Sequence, residues 1–392
     1  MNKDGQLIFG QFNDSFAPVV DGVANVVRNY AYWLDKNYGE CYVITPGYPG
    51  YIDREPFPVL RYYSLPLKRR EPYRVGLEMF DLNFRSNIRN IPFDLVHSHS
   101  PFSSGMVALH LARKLKIPVV ATFHSKFYDD FKQVLKFDAV TQFTTDIVMN
   151  YFNRVDQVWA VSNSTADTLR EYGYRKPIEV IPNGSDFNTG TVPEKEILKI
   201  ACLYHIQPDE WVMLFVGQHI RQKNTLLLID ALSILKKAGV CFKMLFVGTG
   251  VSAKEMEERV DKYGLRQNVC FLGTIFDREV LRALYSRADL FTFPSVYDNA
   301  PLVVREAAAA GTPSLLIRGS NAAEGVIDGQ NGFLAEENAG SIAEKITGII
   351  KRTDIKEIGS NARLTLFRSW KDIVDEVSLR YKDLIEFKKK QN

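Results

Sequence analysis

Two acidic side chains, Asp298 and Glu306, lie on either side of a predicted turn into a helix, within residues 297–306 (YDNAPLVVRE). Pro301 suits the first position of this helix, because a residue there needs no N–H donor and the ring already holds a helical φ. Asn299 or Asp298 can cap the helix with a side-chain oxygen. The pattern predicts a strand, turn and helix whose first turn opens between two carboxylates.

The beginning of this helix is suited to binding an anion. The N–H groups around Leu302 and Val303 have no partners inside a helix, and the helix dipole adds positive potential at the same end. A phosphate group fits such a site. Glu306 falls in an apolar stretch, VVREAAAA, where an unpaired carboxylate is costly to bury. We therefore expect Glu306 to have a partner, and ligand hydroxyls are one candidate.

Composition limits the class of protein. The chain has 392 residues, 46% of them apolar and 24% charged, which is more than one core usually serves, so we expect two domains. The net charge of +3 gives no reason to expect a nucleic-acid partner. The four cysteines are far apart in sequence, and we interpret them as reduced core residues of a cytoplasmic protein. We find no signal peptide and no apolar run long enough to span a membrane.

Short apolar runs alternate with helical patterns along the chain, which is typical of parallel βα units. The predicted strands are residues 7–12, 42–45, 95–98, 119–122, 157–161, 179–181, 212–216, 243–247, 269–272, 290–293 and 314–317. Turn residues crowd into 183–196, which we interpret as a linker. The pattern predicts an α/β fold of two doubly wound domains, 1–190 and 191–369, and a C-terminal helix, 370–392, that packs back on the N-terminal domain.

Ligands of open parallel sheets bind beyond the carboxyl ends of the strands, so we expect a site in the cleft between two facing sheets. Gly248 and Gly250 match the dinucleotide fingerprint only in part, and the sequence has no P-loop motif. These observations disfavour a nucleotide-dependent dehydrogenase.

Several segments at predicted strand ends carry histidine, glycine or charged residues. They are 18–24 (PVVDGVA), 97–102 (HSHSPF), 121–125 (ATFHS), 180–186 (VIPNGSD), 215–224 (FVGQHIRQKN) and 297–306 (YDNAPLVVRE). In this order they resemble the retaining glycosyltransferases of glycosyltransferase family 4, and the likeness runs from Phe12 to about Leu384. The resemblance implies the GT-B fold, with two facing Rossmann-like domains, and the transfer of a sugar from a nucleotide-diphosphate sugar to a hydroxyl.

In the N-terminal half, the resemblance assigns roles to two residues. Gly22 matches a glycine-rich loop in which a small residue lets backbone amides approach the donor diphosphate. His124 matches a histidine near the donor sugar and its phosphate, and is predicted to be catalytic. His97 and His99 remain open as acceptor-side or structural residues.

In the C-terminal half, residues 217–224 stand where the family has Gly-Arg-x4-Lys, whose two cations neutralise the donor diphosphate. Gly217 and Lys223 match this motif, but the neutral Gln218 occupies the arginine position. Arg221 is close enough in sequence to take over the missing charge. Since a cation facing a leaving diphosphate is a large electrostatic term, we predict that all four residues line the donor site and that Lys223 acts in catalysis.

Asp298 and Glu306 match the two acids of the family's Glu-x7-Glu motif, with the shorter Asp in the first place. The resemblance implies that Glu306 holds the nucleotide ribose through its two hydroxyls and that Asp298 is a catalytic residue near the sugar. The other donor-binding residues predicted in this segment are Asn299, Pro301, Leu302 and Val303.

The resemblance also implies a retaining hexosyl transfer in which the leaving phosphate takes the acceptor's proton, with a UDP-hexose as the commonest donor in the family. No metal and no other cofactor is predicted, because Lys223 and the helix amides would stabilise the leaving group and the sequence has no Asp-x-Asp pair.

The acceptor is predicted by a narrower likeness. Residues 21–23 and 123–131 resemble relatives that glycosylate diacylglycerol or other membrane lipids. The basic cluster 68–70 (KRR) precedes an apolar stretch at 77–84, which predicts peripheral contact with an anionic membrane, although a helix packed on the core explains the same pattern. Cell-surface polysaccharide assembly is the alternative transferase function, and a two-lobed nucleotide-sugar-binding protein is the non-enzymatic one.

Overall fold

The structure is a computed structural model that describes residues 6–19, 21–68, 71–135, 137–187 and 192–391. Its contacts divide the chain into two compact units, Met1–Asn183 with Trp370–Asn392, and Gly184–Ser369. The predicted domain boundary at 190 and 191 falls on residues outside the described ranges.

The first unit is built on a parallel sheet. Its strands are β1 (Leu7–Phe12), β2 (Gly39–Pro46), β3 (Val59–Tyr62), β4 (Ser64–Pro66), β5 (Arg74–Gly76), β6 (Leu95–Ser98), β7 (Val119–Phe123), β8 (Gln157–Ala160) and β9 (Ile178–Val180). Within the described residues, seven of them pair in the order β3-β2-β1-β6-β7-β8-β9, every pair parallel, and β4 pairs with β5 as an antiparallel hairpin. The strand order reverses between β1 and β6, so this is the switch point at which such sheets bind ligands.

Helices cover both faces of this sheet. They are α1 (Gly22–Asn37), α2 (Leu82–Arg89), α3 (Ser103–Leu115), α4 (Phe127–Leu135), α5 (Asp138–Arg154) and α6 (Asn163–Glu171), with a 3-10 turn at Glu78–Phe80. Because both faces are covered, the strands are nearly continuous apolar runs. The core contains strand residues such as Ile8, Phe12 and Val96 and helix residues such as Leu109 and Phe152.

The second unit repeats this architecture. Its elements are α7 (Glu194–Leu203), β10 (Val212–Val216), α8 (Thr225–Lys237), β11 (Lys243–Val247), α9 (Ala253–Lys262), β12 (Val269–Gly273), α10 (Arg278–Arg287), β13 (Leu290–Phe293), α11 (Leu302–Ala310), β14 (Ser314–Ile317), β15 (Phe333–Ala335), α12 (Ala339–Ile350) and α13 (Ile355–Leu366). The described strands form a six-stranded parallel sheet in the order β12-β11-β10-β13-β14-β15. The order reverses between β10 and β13, which makes this pair the switch point of the second sheet.

The last helix, α14 (Trp370–Gln391), belongs to the first unit. Its apolar stripe of Trp370, Ile373, Val374, Val377 and Tyr381 is buried. The Tyr381 ring stacks on Trp159 of β8 with 5.5 Å between the ring centroids. The helix therefore contributes side chains to the core of the N-terminal unit.

Several buried strands match their predicted bounds, for example residues 7–12, 95–98 and 212–216. The prediction missed β3, β15 and the β4-β5 hairpin, which are three or four residues long and lie at sheet edges or outside the sheets. The interpretation of the cysteines as core residues was wrong for Cys202 and Cys241, which are exposed, whereas Cys41 is buried. None of the helices in the described ranges has the length and apolar character needed to cross a membrane.

Gly248 and Gly250, the partial dinucleotide match, have a packing role. A β-carbon on Gly248 would lie 2.0 Å from the carbonyl oxygen of Gly217, and one on Gly250 would lie 2.4 Å from that of His219. Both glycines are thus required for the close approach of the loops that follow β10 and β11.

Candidate functional site

The switch point of the second sheet brings two motif segments together. Gly217 follows β10 directly, and Pro294 follows the neighbouring strand β13. Carboxyl ends of adjacent parallel strands lie at the same edge of the sheet. The loop after β10 therefore meets the loop that leads from β13 into α11.

Lys223 and Asp298 form an ion pair at this edge. Lys223 Nζ donates to Asp298 Oδ1 at 3.0 Å, and the side chains are 13% and 20% exposed. Ser295 Oγ donates to the other carboxylate oxygen of Asp298 at 2.6 Å. The Lys223 ammonium also lies 5.0 Å from the centroid of the Phe293 ring, a cation–π distance. The ion pair, the Ser295 hydrogen bond and the Phe293 ring therefore orient the ammonium and the carboxylate.

The helix after this loop begins one residue later than predicted. Leu302 is the first residue of α11, and Pro301 is its N-cap with an extended ψ of 125°. The prediction of Pro301 as the first helical residue was wrong, because its backbone is extended. The carbonyl oxygen of Pro301 accepts a hydrogen bond from Val304 N at 3.2 Å, as an N-cap carbonyl does. The amides of Leu302 and Val303 precede that first bond, as an anion site at a helix start requires.

Asn299 is tied to a neighbouring turn. Its Oδ1 accepts a hydrogen bond from Asn321 Nδ2 at 3.1 Å, at the start of a 3-10 turn that follows β14. This contact connects the loop before α11 to the end of the next strand.

Gln218 and Arg221 lie at the surface of this region. The Gln218 side chain is exposed, next to Gly217, whose amide donates to Val247 O in the sheet. Arg221 is 74% exposed and pairs with Glu255 of α9 at 2.9 Å. In the structure Arg221 is therefore in a surface ion pair, and replacing the missing arginine requires it to leave Glu255.

Glu306 has protein partners. Its side chain is 8% exposed; Arg278 Nη2 donates to Oε1 at 2.7 Å, and Tyr285 Oη donates to Oε2 at 3.0 Å. Burial raises the pKa of Glu306 above its ordinary value, while the charge and hydrogen bond of Arg278 counteract the rise. Arg278 and Tyr285 thus supply the partners that the sequence analysis expected from a ligand.

In the first unit, His124 lies one residue beyond the end of β7 and contacts His99. His99 Nδ1 is 3.1 Å from His124 Nε2, and His99 Nε2 is 2.8 Å from Gln11 Oε1. The Gln11 oxygen can only accept, so Nε2 of His99 carries the proton and its Nδ1 accepts from His124 Nε2. In neutral His124 the lone pair therefore lies on Nδ1.

The network continues to the C-terminal helix. Gln11 Nε2 donates to Tyr381 Oη at 3.3 Å, Tyr381 Oη contacts His97 Nδ1, and His97 Nε2 is 2.7 Å from Thr122 Oγ1. Burial lowers the pKa of His124 to about 3. Burial and the neighbouring imidazoles hold the pKa values of His97 and His99 well below 6.5. All three rings are neutral at pH 7.

Gly22 is the first residue of α1. The Asp21 side chain caps the helix by accepting from Ala24 N at 2.7 Å. A β-carbon on Gly22 would meet open space, so packing inside the protein does not explain a glycine here. The open space leaves room for a ligand to approach the start of α1.

Five residues with contacts in these networks belong to none of the predicted site residues: Arg278, Tyr285, Ser295, Gln11 and Tyr381. Gln11 and Ser295 lie at strand ends, which is a signal that could have selected them. Arg278, Tyr285 and Tyr381 lie on helices far along the chain from the residues they contact, and no sequence spacing indicates such contacts.

The carboxyl ends of the two sheets are suited to different chemistry. Lys223 and the amides at the start of α11 offer positive potential to an anion. The three neutral histidines form a hydrogen-bonded network without net charge, in which both ring nitrogens of His97 and of His99 are bonded to protein groups.

Two family models and several known proteins are similar to this chain. The family model described as Glycosyltransferase Family 4 matches residues 20–189, and the model described as Glycosyl transferases group 1 matches residues 204–365. An alpha-monoglucosyldiacylglycerol synthase from Streptococcus pneumoniae is 25% identical over 312 residues, which cover 78% of this chain and 69% of the relative. The protein of the same name from Acholeplasma laidlawii is 24% identical over 340 residues, covering 84% and 85%.

A solved structure has the same architecture. The crystal structure of Anabaena HepE in complex with UDP and glucose matches with a TM-score of 0.76 at 21% identity, covering 96% of this chain and 99% of that one. The two family models follow one another along the chain: the first includes β2 to β9, and the second includes β10 to β15. The chain therefore belongs to glycosyltransferase family 4 and is a glycosyltransferase of GT-B fold.

Proposed function

We propose that this glycosyltransferase moves a hexose, glucose in the first instance, from a UDP-hexose to the hydroxyl of a membrane lipid such as diacylglycerol, with retention at the anomeric carbon. The observation that carries the proposal is the Lys223–Asp298 pair beside the first amides of α11. The Lys223 ammonium and the amides at the start of α11 suit a diphosphate. The Asp298 carboxylate suits sugar hydroxyls.

The relatives support the donor and the acceptor. Two of them carry the name alpha-monoglucosyldiacylglycerol synthase, and the Anabaena protein was crystallised with UDP and glucose. Glu306 is proposed to hold the ribose, which every ribonucleotide donor shares. The proposal of uracil as the base and glucose as the sugar is therefore based on these relatives.

The proposed reaction breaks the bond between the anomeric carbon and the β-phosphate oxygen and forms a bond from that carbon to the acceptor oxygen on the same face. The acceptor proton passes to the departing phosphate. Lys223 and the amides of Leu302 and Val303 would stabilise the negative charge that develops on the diphosphate. We infer that these groups suffice without a metal ion.

His124 is proposed to contact a hydroxyl of the donor sugar. His124 directly follows the carboxyl end of β7, against His99, and burial keeps the ring neutral at pH 7. A neutral imidazole adds no charge that would compete with Lys223 for the diphosphate. Gly22 is proposed to let the diphosphate approach the start of α1.

An exposed apolar surface supports a lipid acceptor. Phe80 and Leu82 are 69% and 74% exposed, and Lys68 is exposed in the hairpin that precedes them. Phe84, from the same predicted stretch, is buried in the core. Arg69 and Arg70 of the basic cluster lie outside the described residues. We propose that Phe80 and Leu82 insert into an anionic membrane surface and that the protein acts there from the cytoplasmic side.

The donor and acceptor are tested by a transfer assay. UDP-glucose, UDP-galactose, UDP-N-acetylglucosamine and GDP-mannose are each supplied with diacylglycerol in mixed micelles. The proposal predicts that the UDP-hexoses react and that the product carries an α-linked sugar by NMR. Transfer from GDP-mannose alone, a β-linked product, or transfer only to a water-soluble saccharide would contradict it.

Membrane contact is tested by sedimentation with phosphatidylglycerol vesicles at low salt. Phe80→Ser with Leu82→Ser should reduce the bound fraction several-fold. Phe143→Ser is the matched control, because Phe143 is 66% exposed on α5 and lies outside the proposed surface. No binding by the wild type, or equal losses in both variants, would contradict the proposed membrane surface.

A further inference from the structure

Glu306 is held by two partners on α10, one on each carboxylate oxygen. Arg278 Nη2 donates to Oε1 at 2.7 Å, and Tyr285 Oη donates to Oε2 at 3.0 Å. Tyr285 is fully buried, and Glu306 itself is 6% exposed. The Arg278 and Tyr285 donors therefore fix the rotamer of the Glu306 carboxylate.

The two donors leave acceptor capacity on the carboxylate. An ionised carboxylate oxygen can accept about two hydrogen bonds, and each oxygen of Glu306 has one protein donor among the contacts given above. One further acceptor position per oxygen matches a vicinal diol, in which two neighbouring hydroxyls each donate once. A protonated carboxyl would lose one of these positions, so the charge on Glu306 has to be maintained in a buried place.

We propose that Arg278 and Tyr285 are positioning residues for nucleotide binding, which keep Glu306 ionised and aim both of its oxygens at the 2′- and 3′-hydroxyls of the ribose. This inference rests on the proposed function, in which Glu306 is the ribose carboxylate. Arg278 supplies the compensating charge, and Tyr285 fixes the carboxylate plane.

Arg278 is itself held in place by other contacts. Its Nε donates to Asp186 Oδ2 at 3.0 Å, and its Nη2 donates to Asp186 Oδ1. The guanidinium carbon lies 4.4 Å from the centroid of the Phe187 ring. The cation is thus in position before a nucleotide binds, which reduces the ordering cost of binding.

The same unit contains a matched control. Arg259 Nη1 donates to Asp230 Oδ2 at 2.8 Å, and Tyr263 Oη donates to Asp230 Oδ1 at 2.9 Å. This second arginine–carboxylate–tyrosine group connects α8 and α9 and has no part in the proposed site. Replacing Arg259 or Tyr263 removes the same kind of hydrogen bond as replacing Arg278 or Tyr285, but leaves the contacts of Glu306 unchanged.

The test compares the binding of UDP with that of 2′-deoxy-UDP by calorimetry. The wild type should prefer UDP by about tenfold, as expected for a hydroxyl bonded to a charged group. Tyr285→Phe and Arg278→Gln should each reduce this preference to about threefold or less. Tyr263→Phe and Arg259→Gln should retain it, and thermal melting checks that all four variants are folded.

The pH dependence separates positioning from a general loss of structure. Asp186, Arg278 and Tyr285 are the titratable groups that face Glu306. Without the Arg278 guanidinium, burial and Asp186 raise the pKa of Glu306 further, so UDP binding by Arg278→Gln should weaken as the pH falls from 8 to 6. Binding by the wild type and by Arg259→Gln should change by less than about twofold over this range.

An unchanged preference for UDP in both Tyr285→Phe and Arg278→Gln would overturn the inference, as would a wild type that does not distinguish UDP from 2′-deoxy-UDP. If the wild type binds GDP and not UDP, the proposed donor fails, and the same ratio measured with GDP and 2′-deoxy-GDP still tests the inference. Failure to bind any ribonucleoside diphosphate would overturn both.

Discussion

The carboxyl ends of the two sheets differ in the charge of the groups they hold. At the switch point of the second unit, Lys223 pairs with Asp298, and Glu306 pairs with Arg278 in the adjoining helix. At the switch point of the first unit, His97, His99 and Gln11 form a neutral hydrogen-bonded network that also includes His124. One topology therefore supports an ionic site in one unit and an uncharged polar site in the other.

The difference has a physical cause. Three clustered imidazoles are buried deeply enough that burial disfavours their charged forms. Lys223 and Asp298 are partly exposed and form an ion pair with each other. We call the carboxyl end of the second sheet, with Lys223 and Asp298, the ionic edge, and that of the first sheet, with His97, His99 and His124, the neutral edge. The ionic edge suits the diphosphate of a donor, and the neutral edge suits hydroxyl groups of a sugar.

The largest effect is expected at the ionic edge. Lys223→Gln removes the cation that would face the leaving diphosphate, so kcat/KM for transfer should fall on the order of 100- to 1,000-fold. Lys223→Arg, which keeps the charge, should recover part of the loss. Initial rates with UDP-glucose and diacylglycerol measure both variants.

Arg221→Gln is the control for this prediction. Because Arg221 pairs with Glu255 at the surface, its loss should change kcat/KM by less than about threefold. If Arg221→Gln were as impaired as Lys223→Gln, Arg221 would supply the charge that the arginine position lacks. A loss of less than threefold in Lys223→Gln would contradict the assignment of the ionic edge.

A smaller loss is expected at the neutral edge. His124→Ala removes the imidazole that we propose contacts a sugar hydroxyl, so kcat/KM should fall about 10- to 100-fold. His110→Ala is the control, since His110 is exposed on α3 and should leave the rate unchanged. Equal rates for the two variants would exclude a role for His124.

Stability should fall on acidification. A histidine whose pKa drops from 6.5 to about 3 on folding takes up its proton only on unfolding, so it destabilises the fold below pH 6.5. One such histidine lowers the free energy of unfolding by about 2 kcal/mol between pH 7 and pH 5. Urea unfolding at the two pH values measures the change, and His99→Gln should reduce it.

Glu306 would give the opposite trend. Burial raises the pKa of Glu306, and a carboxyl with a raised folded pKa contributes stability at low pH that is lost as the pH rises. A chain that is more stable at pH 5 than at pH 7 would therefore show that the neutral histidine network does not dominate this pH range.

The smallest effect is expected from the outer end of the histidine network. Tyr381→Phe removes the hydroxyl that contacts Gln11 and His97, which should lower the free energy of unfolding by about 1 kcal/mol and the transfer rate only slightly. Tyr38→Phe, which removes a partly buried hydrogen bond to Asp375, is the control for the loss of a tyrosine hydroxyl. A tenfold rate loss confined to Tyr381→Phe would mean that α14 acts directly on the site.

Much of the fold is predictable because buried parallel strands are continuous apolar runs. The strand at 212–216 follows this rule to the residue. The three-residue strand at Phe333–Ala335 is too short for any periodicity to appear. Its pairing depends on β14, which the local sequence does not encode.

The candidate site was predictable where a motif carries it and not where a contact comes from another element. Sequence patterns selected Lys223 and Asp298, and the fold brings them within 3.0 Å. They also indicated that Glu306 needs a partner, but Arg278 lies 28 residues earlier on another helix. Arg221 was close in sequence to the motif, but its side chain turns to Glu255, and sequence distance does not give direction.

The central claim, that Lys223 binds the diphosphate and His124 does not, is tested most directly by calorimetry with UDP and uridine. The wild type should bind UDP more tightly than uridine, Lys223→Gln should lose most of this preference, and His124→Asn should keep it. Loss of the preference in His124→Asn with no change in Lys223→Gln would contradict the claim.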